Sequence, residues 1–132
     1  MKKLFATIML AASLSLAACG EQSMSSATMK SNLESKGYSA EVMNKTEAEA
    51  RIKGVEFVVE ITDALYSSKN SNEVLIAFFC ANSGDATSFV NTNIQAMYRF
   101  AESYTEEPKV GSYNNVAYAG TAGMVTAAGI QL

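Results

Sequence analysis

Residues 55–81, VEFVVEITDALYSSKNSNEVLIAFFCA, decide the fold of this chain. The first part of the stretch, up to Tyr66, alternates apolar and polar residues, which predicts a strand with one solvated side. Its last nine residues, EVLIAFFCA, are apolar on both faces, as expected of an interior strand. The turn-forming residues SSKNSN separate these parts, so the stretch predicts an antiparallel hairpin at the centre of the fold.

The longest helical signal follows this hairpin, over residues 85–103. Apolar side chains recur there at the spacing of one helix face while polar side chains occupy the other, so the helix is expected to pack on the sheet. The predicted buried face consists of Ala86, Phe89, Val90, Ile94, Met97 and Ala101.

Shorter elements complete the prediction. A first helix over residues 27–36 is closed by Gly37. A capping box, Thr46-Glu47-Ala48-Glu49, opens a helix of one or two turns that ends near Gly54. The pair Asn114-Asn115 is suited to a tight turn between two strands. The remaining predicted segments are strands over residues 38–44, 109–113 and 116–119, and a last helix over residues 122–128, which Thr121 is expected to cap and Gly129 to close.

Together these elements predict a single α+β domain. It would contain four to five mostly antiparallel strands, with one long amphipathic helix packed on a face and short flanking helices. The order of the strands cannot be derived from the sequence.

Composition excludes several classes of function. The chain has 132 residues and no histidine, which removes histidine-based triads, Cys–His dyads and HExxH zinc sites. Its formal charge is −3, whereas a protein that binds nucleic acid needs a basic surface. No cofactor or metal site is predicted, because no turn of the chain follows a ligand motif such as that of an EF-hand.

The N-terminal segment, MKKLFATIMLAASLSLAACG, has the composition of a secretory signal peptide. Its apolar run of 13 residues is short, since a spanning helix needs about 20. The tetrad Leu16-Ala17-Ala18-Cys19 resembles the lipobox of bacterial lipoproteins. In that class the cysteine thiol receives a diacylglycerol and the leader is cut just before the cysteine.

This resemblance implies a domain organisation and a location. Residues 1–18 would be a lipoprotein signal peptide, Cys19 the lipidated residue and residues 19–26 a flexible tether to a domain over residues 27–132. The protein would be lipid-anchored in the cell envelope, on the outer side of the cytoplasmic membrane or on the outer membrane. The alternative is an ordinary secreted protein in which Cys19 is incidental. The segments LESKGYSAEV and VAYAGTAGMVTAAG are also similar to small bacterial lipoproteins of unassigned function.

Cys80 is the only candidate nucleophile of note. It shares a strand face with Val74, Ile76 and Phe78, which predicts a buried structural thiol, and the chain offers no histidine to activate it. Because Cys19 would be lipid-linked, no internal disulfide is expected. Without lipidation, a Cys19–Cys80 bridge is conceivable.

The carboxylates are expected to be solvated rather than catalytic. Glu56 and Glu60 share a predicted strand face, but they would stand about 13 Å apart at ~3.3 Å per residue. Glycoside hydrolysis requires carboxyl groups roughly 5–9.5 Å apart. Asp63 is a polar residue at an apolar position of the first strand, and it predicts a bulge or the point where the strand leaves the core.

Tyrosines form the predicted recognition surface. Tyr113 and Tyr118 flank the Asn114-Asn115 turn, where an aromatic patch could bind a partner or a glycan. The expected function is a non-catalytic binding or interaction module with an unknown partner. One alternative is a small envelope enzyme that uses Cys80 or a surface carboxylate. Another is a structural component that assembles with itself or with other envelope proteins.

Overall fold

The computed structural model of the protein describes residues 23–132. Four helices and five strands follow one another along this part of the chain. In chain order they are α1 (Ser26–Ser35), β1 (Glu41–Met43), α2 (Lys45–Arg51), β2 (Ile61–Lys69), β3 (Glu73–Cys80), α3 (Ser83–Glu102), β4 (Lys109–Tyr113), β5 (Val116–Gly120) and α4 (Ala122–Ala127). Among these residues, no helix combines the length and the apolar character needed to cross a membrane.

The five strands form one antiparallel sheet in the order β1-β2-β3-β5-β4. β3 is therefore the central strand, and the chain crosses from β3 through α3 to the edge strand β4. The predicted α+β domain and both predicted hairpins are confirmed, and the strand order that the sequence left open is now defined.

Helices cover both faces of the sheet. One face packs against α1 and α4, and its core includes Met29, Leu33, Leu65, Leu75, Phe79, Val116, Tyr118, Met124 and Val125. The other face packs against α2 and α3, and its core includes Ala48, Ile52, Ile76, Phe78, Ala117, Ala119, Phe89, Val90 and Met97. The short helices thus supply a second helical layer, and β3 is buried on both faces as its uninterrupted apolar sequence predicted.

The first predicted strand begins later than expected. Strand pairing starts at Ile61, opposite Cys80, which is the last residue of β3. Residues 55–60 lie beyond that end and have no neighbouring strand to pair with, although their apolar side chains alternate inwards and pack on the core. A register shift between Ile61 and Asp63 places one extra residue in β2, so of the two alternatives predicted for Asp63, a bulge or the point where the strand leaves the core, the structure shows the bulge.

The middle of α3 departs from the predicted helix. Asn93 has non-helical backbone angles, φ −111° and ψ 17°, and its side chain is buried. Ile94 was predicted on the buried face and is 37% exposed instead. The buried positions Phe89, Asn93 and Met97 follow one another at intervals of four residues, so Asn93 lies nearer the centre of the inward face than Ile94 does, and its polar side chain is the reason that the apolar pattern overlooked it.

The buried amide of Asn93 holds residues 55–60 against α3. Its Oδ1 accepts a hydrogen bond from the backbone N–H of Glu56 at 2.7 Å, and its Nδ2 donates to the Glu56 carbonyl at 2.8 Å. Nδ2 also donates to the Phe89 carbonyl at 3.0 Å. The side chain thus replaces the strand neighbour that this segment lacks, and its own buried polar atoms are satisfied.

Asn115 holds the N-terminal segment in the same manner. Its Oδ1 accepts from the Met24 N–H at 2.6 Å, while its Nδ2 donates to the carbonyls of Met24 and Cys80, each at 3.1 Å. Met24 therefore belongs to the folded domain. The predicted tether over residues 19–26 extends too far at its C-terminal end, and its first four residues lie outside the described part of the chain.

Two predicted helix caps also differ. The capping box of α2 is formed two residues earlier than predicted: Asn44 Oδ1 accepts from the Glu47 N–H, and Glu47 Oε1 accepts from the Asn44 N–H. Asn44, not Thr46, is therefore the N-cap. Thr121 does precede α4, but its hydroxyl lies 3.3 Å from both backbone polar atoms of Val74 and makes no capping bond.

Candidate functional site

Cys80 lies at the end of β3 and is 3% exposed, as the strand pattern predicted. Its Sγ is 4.0 Å from the Phe78 carbonyl oxygen. Burial raises the pKa of the Cys80 thiol to about 11, and the nearby charge of Asp85 acts in the same direction. Since the thiolate is the nucleophilic form, this environment suppresses cysteine chemistry at neutral pH.

We expect iodoacetamide to leave Cys80 unmodified in the native domain at pH 7 and to modify it readily in denaturant. The same pKa shift makes the free energy of unfolding depend on pH. Because the folded pKa of about 11 exceeds that of a free thiol, about 8.5, the contribution of Cys80 to folding stability is complete below the free-thiol pKa. It is lost as the pH rises through the folded pKa. Peptide-resolved mass spectrometry measures the labelling, and rapid native modification at pH 7 would restore Cys80 as a catalytic candidate.

The carboxylates that the sequence singled out are exposed or hydrogen-bonded to hydroxyl groups. Glu56 and Glu60 are exposed on the segment before β2. Glu73 accepts a hydrogen bond from the Tyr38 hydroxyl at 3.0 Å, and Asp63 accepts one from Ser26 Oγ at 2.5 Å. Within residues 23–132, no three acidic or cysteine side chains gather closely enough to hold a metal ion.

The predicted aromatic pair at the β4–β5 turn, Tyr113 and Tyr118, is not exposed as a pair. Tyr118 is only 7% exposed and belongs to the core beneath α1 and α4, and burial raises its pKa. Tyr113 is half-buried against the same core. Gly111 lies opposite Tyr118, and a Cβ there would lie 3.1 Å from the Tyr118 hydroxyl. Tyr118 is therefore a packing residue, and the prediction of an exposed aromatic pair is wrong for it.

A polar cluster that no sequence pattern indicates lies beside β1 and β2. We call it the Arg51–Tyr66 cluster; it comprises Glu41, Arg51, Tyr66, Ser68 and Tyr104. The Arg51 guanidinium lies over the Tyr66 ring, 4.2 Å from its centroid, and Arg51 Nη2 is 3.1 Å from Glu41 Oε1. The hydroxyls of Tyr66 and Tyr104 are 3.4 Å apart. No local motif joins these residues, because they come from β1, α2, β2 and the segment after α3.

The electrostatics of this cluster favour the phenolate of Tyr66. Burial raises the pKa of Tyr66, but hydrogen bonds with Ser68 and Tyr104 and the charge of Arg51 outweigh it, so that the pKa lies below its usual value. An open cavity of about 330 Å³ adjoins the cluster and is lined by Ser39, Ala40, Glu41, Arg51, Tyr66, Ser67 and Ser68. Groups with perturbed pKa values cluster at functional sites, so this cluster is a candidate contact surface within residues 23–132.

The remaining predicted site residue, Cys19, lies outside the described residues. No protein-family model matches this chain. No curated protein and no solved structure is significantly similar to it.

Proposed function

We propose that the protein is a lipid-anchored, non-catalytic interaction module of the cell envelope. The observation that carries this proposal is the tetrad Leu16-Ala17-Ala18-Cys19 behind a basic start and a short apolar run. Acyl chains contribute roughly 0.8 kcal/mol per buried methylene, and two or more chains make attachment stable. The anchor would hold the domain on the outer side of the cytoplasmic membrane or on the outer membrane.

The start of the folded domain supports a short attachment. Asn115 holds Met24 by hydrogen bonds to both of its backbone polar groups. Five residue steps then separate Cys19 from Met24, and an extended chain covers at most ~3.6 Å per step, or about 18 Å in all. The end of the domain that carries the β4–β5 turn would therefore stay close to the membrane surface.

The chemistry of the described residues supports a role without catalysis. The raised pKa of Cys80 keeps its thiol protonated at neutral pH, and the chain has no histidine that could deprotonate it. The Arg51–Tyr66 cluster supports a role in contact instead. The side chains of Arg51 and Glu41 are 45% and 54% exposed. Because an exposed ion pair contributes little to folding stability, a partner that breaks this pair loses little free energy of binding.

The anchor is tested by Cys19→Ser. We expect this variant to lose lipid modification and to leave the detergent phase in a phase-partition experiment, because no thiol remains at position 19 to carry the diacylglycerol. The wild-type protein should remain in the detergent phase, and Cys80→Ser is the matched control that should remain with it. Equal partition of wild type and Cys19→Ser would remove the anchor from the proposal.

The interaction role is tested by crosslinking in intact cells with a photoreactive residue at position 51. We expect adducts that depend on this position and are absent when the same residue replaces Lys30, on α1 across the sheet. The absence of adducts at position 51 would contradict a contact role for the cluster. The enzyme alternative would instead require native labelling of Cys80, which the thiol experiment measures separately.

A further inference from the structure

The two edge strands of the sheet are protected unequally. β1 has three residues and carries the Glu41–Arg51 ion pair, and charged side chains at an edge discourage pairing with another chain. β4 has five residues, of which only Lys109 is charged. Beside β4 lies an open cavity of about 410 Å³, with walls that include Tyr98, Pro108, Val110 and Leu132. β4 is therefore the less protected edge.

The hydrogen bonds of β5 define which groups of β4 face outward. The Cys80 N–H donates to the Asn115 carbonyl at 2.8 Å, and the Thr121 N–H donates to the Val74 carbonyl at 2.9 Å. Hydrogen-bonded pairs recur at every second residue of an antiparallel ladder. The odd-numbered residues of β5 therefore bond to β3, and the even-numbered residues bond to β4.

In β4, the partners of those even-numbered residues are Lys109, Gly111 and Tyr113. Their backbone N–H and C=O groups point toward β5. The corresponding groups of Val110 and Ser112 consequently point away from the sheet, at the open edge. An extended backbone is the structure that satisfies such a row of donors and acceptors.

β4 is complementary to a second copy of itself. When two β4 strands run antiparallel with the two Gly111 residues facing each other, Val110 of each copy faces Ser112 of the other. These are hydrogen-bonded pairs, so that four main-chain hydrogen bonds form. The glycines occupy the non-bonded pair at the two-fold axis, where Cα atoms approach to ~4.5 Å. Lys109 faces Tyr113 of the second copy, so its charge meets an aromatic ring instead of a like charge.

The exposed side of α3 lies above this edge and is also suited to contact a second copy. Thr87 Oγ1 lies 3.4 Å from Ser112 Oγ, and Tyr98 lines the cavity beside β4, so this side of α3 follows the open edge. The same side presents Ile94 and Tyr98, which are 37% and 41% exposed. α3 packs over both β4 and β5. With strands about 4.8 Å apart, two such helices related by the axis would lie ~10 Å apart, which is the distance at which helices pack.

We infer that the protein forms a symmetric homodimer through β4, with Gly111 at the two-fold axis and with Ile94 and Tyr98 of the two α3 helices in contact. An isologous interface of this kind needs one self-complementary surface, which β4 and α3 supply together. The two sheets become one continuous sheet. This inference goes beyond the proposed function and does not require the lipid anchor.

The oligomeric state of the full chain, purified in detergent, tests this inference. We expect light scattering across a dilution series to give twice the chain mass for the wild type. Ile94→Lys places a charge between the helices, and Ser112→Pro removes an outward N–H that the sheet itself does not use; both should be monomeric. Val42→Lys is the matched control, because Val42 is 40% exposed at the opposite edge, and it should remain dimeric. A monomeric wild type, or variants that all dimerise alike, would overturn the inference.

A disulfide tests the register in a way that does not depend on a weakened variant. In the double variant Val110→Cys and Ser112→Cys, each new cysteine faces its counterpart on the second copy, and mild oxidation should yield a reducible covalent dimer. In Ser112→Cys alone, the two Ser112 positions lie two residues apart along the paired strands, beyond the ~7 Å that a disulfide spans. Crosslinking of the single variant as efficiently as the double one would contradict this register. If Cys19→Ser leaves the detergent phase and remains dimeric, that result supports both the anchor and the dimer. A failure of one proposal can therefore be distinguished from a failure of the other.

Discussion

Replacing Gly120 by alanine is expected to destabilise the domain by about 3 kcal/mol, at the upper end of the cost of overpacking a core. Gly120 ends β5, where it pairs with Leu75 of β3 and Lys109 of β4. A Cβ there would lie 2.5 Å from the Val74 carbonyl oxygen and 3.0 Å from the Leu75 Cα. These are backbone atoms of the central strand, so no side-chain rotation can relieve the contact, and the ladder itself has to shift.

Thermal and denaturant unfolding measure this effect, which corresponds to a fall in Tm of roughly 12 °C for a domain of this size. Gly123→Ala is the matched control in α4. A Cβ at Gly123 would have Glu73 Oε2 at 3.6 Å as its nearest neighbour, and alanine is favoured over glycine in a helix by about 0.5–1 kcal/mol. Gly123→Ala should therefore be neutral or stabilising. Equal stabilities for the two variants would contradict the close approach of β3 and β5 at Gly120.

The second large effect is expected from Asn115→Ala, which should cost about 2–3 kcal/mol, because a buried polar group left without a partner costs roughly 1–3 kcal/mol. The substitution removes three hydrogen bonds at once, two to Met24 and one to the Cys80 carbonyl. The backbone N–H and C=O of Met24 lie near the surface and can form hydrogen bonds with water, whereas the Cys80 carbonyl lies inside the sheet. We therefore expect local release of the N-terminal segment together with a loss of global stability.

Hydrogen exchange distinguishes these two effects. The Met24 amide should exchange rapidly in Asn115→Ala, while amides of β3 lose protection only in proportion to the lower global stability. Asn114→Gly is the matched control, since Asn114 adopts φ 53° in the same turn and glycine accepts that angle without strain. It should keep both stability and Met24 protection. Unchanged protection of Met24 in Asn115→Ala would show that the side-chain amide does not hold the segment.

Much of the fold was predictable because its strongest signals are local. The alternation of the first strand, the continuous apolar run of β3 and the turn at Asn114 each depend on neighbouring residues. The bounds of β2 were not predictable, because pairing stops where β3 stops, at Cys80. The inward orientation of the Asn93 side chain was not predictable for a similar reason. Its partner is the Glu56 backbone, 37 residues away, and an apolar pattern assigns a polar residue to the surface.

The same distinction between local patterns and tertiary contacts applies to the site residues. The burial of Cys80 followed from its strand parity, which is a local property. The exposure of Tyr118 was predicted incorrectly, because Gly111 on the neighbouring strand makes room for the ring above the sheet. The Arg51–Tyr66 cluster joins a helix, two strands and Tyr104 beyond α3, so that only the tertiary fold brings its members together.

The bond between Asn115 and Met24 also determines where mechanical load enters the domain. A pull from the N-terminal side acts on the hydrogen bonds between Met24 and Asn115, and the Asn115 amide also bonds to the carbonyl of Cys80, at the end of the central strand. An edge strand can be peeled away one hydrogen bond at a time, but β3 is bonded on both sides. A force applied there is shared by two ladders, and resistance to such a force is governed by the unfolding rate rather than by equilibrium stability. Asn115 thus joins the N-terminal end of the described chain to a strand that is hydrogen-bonded on both sides.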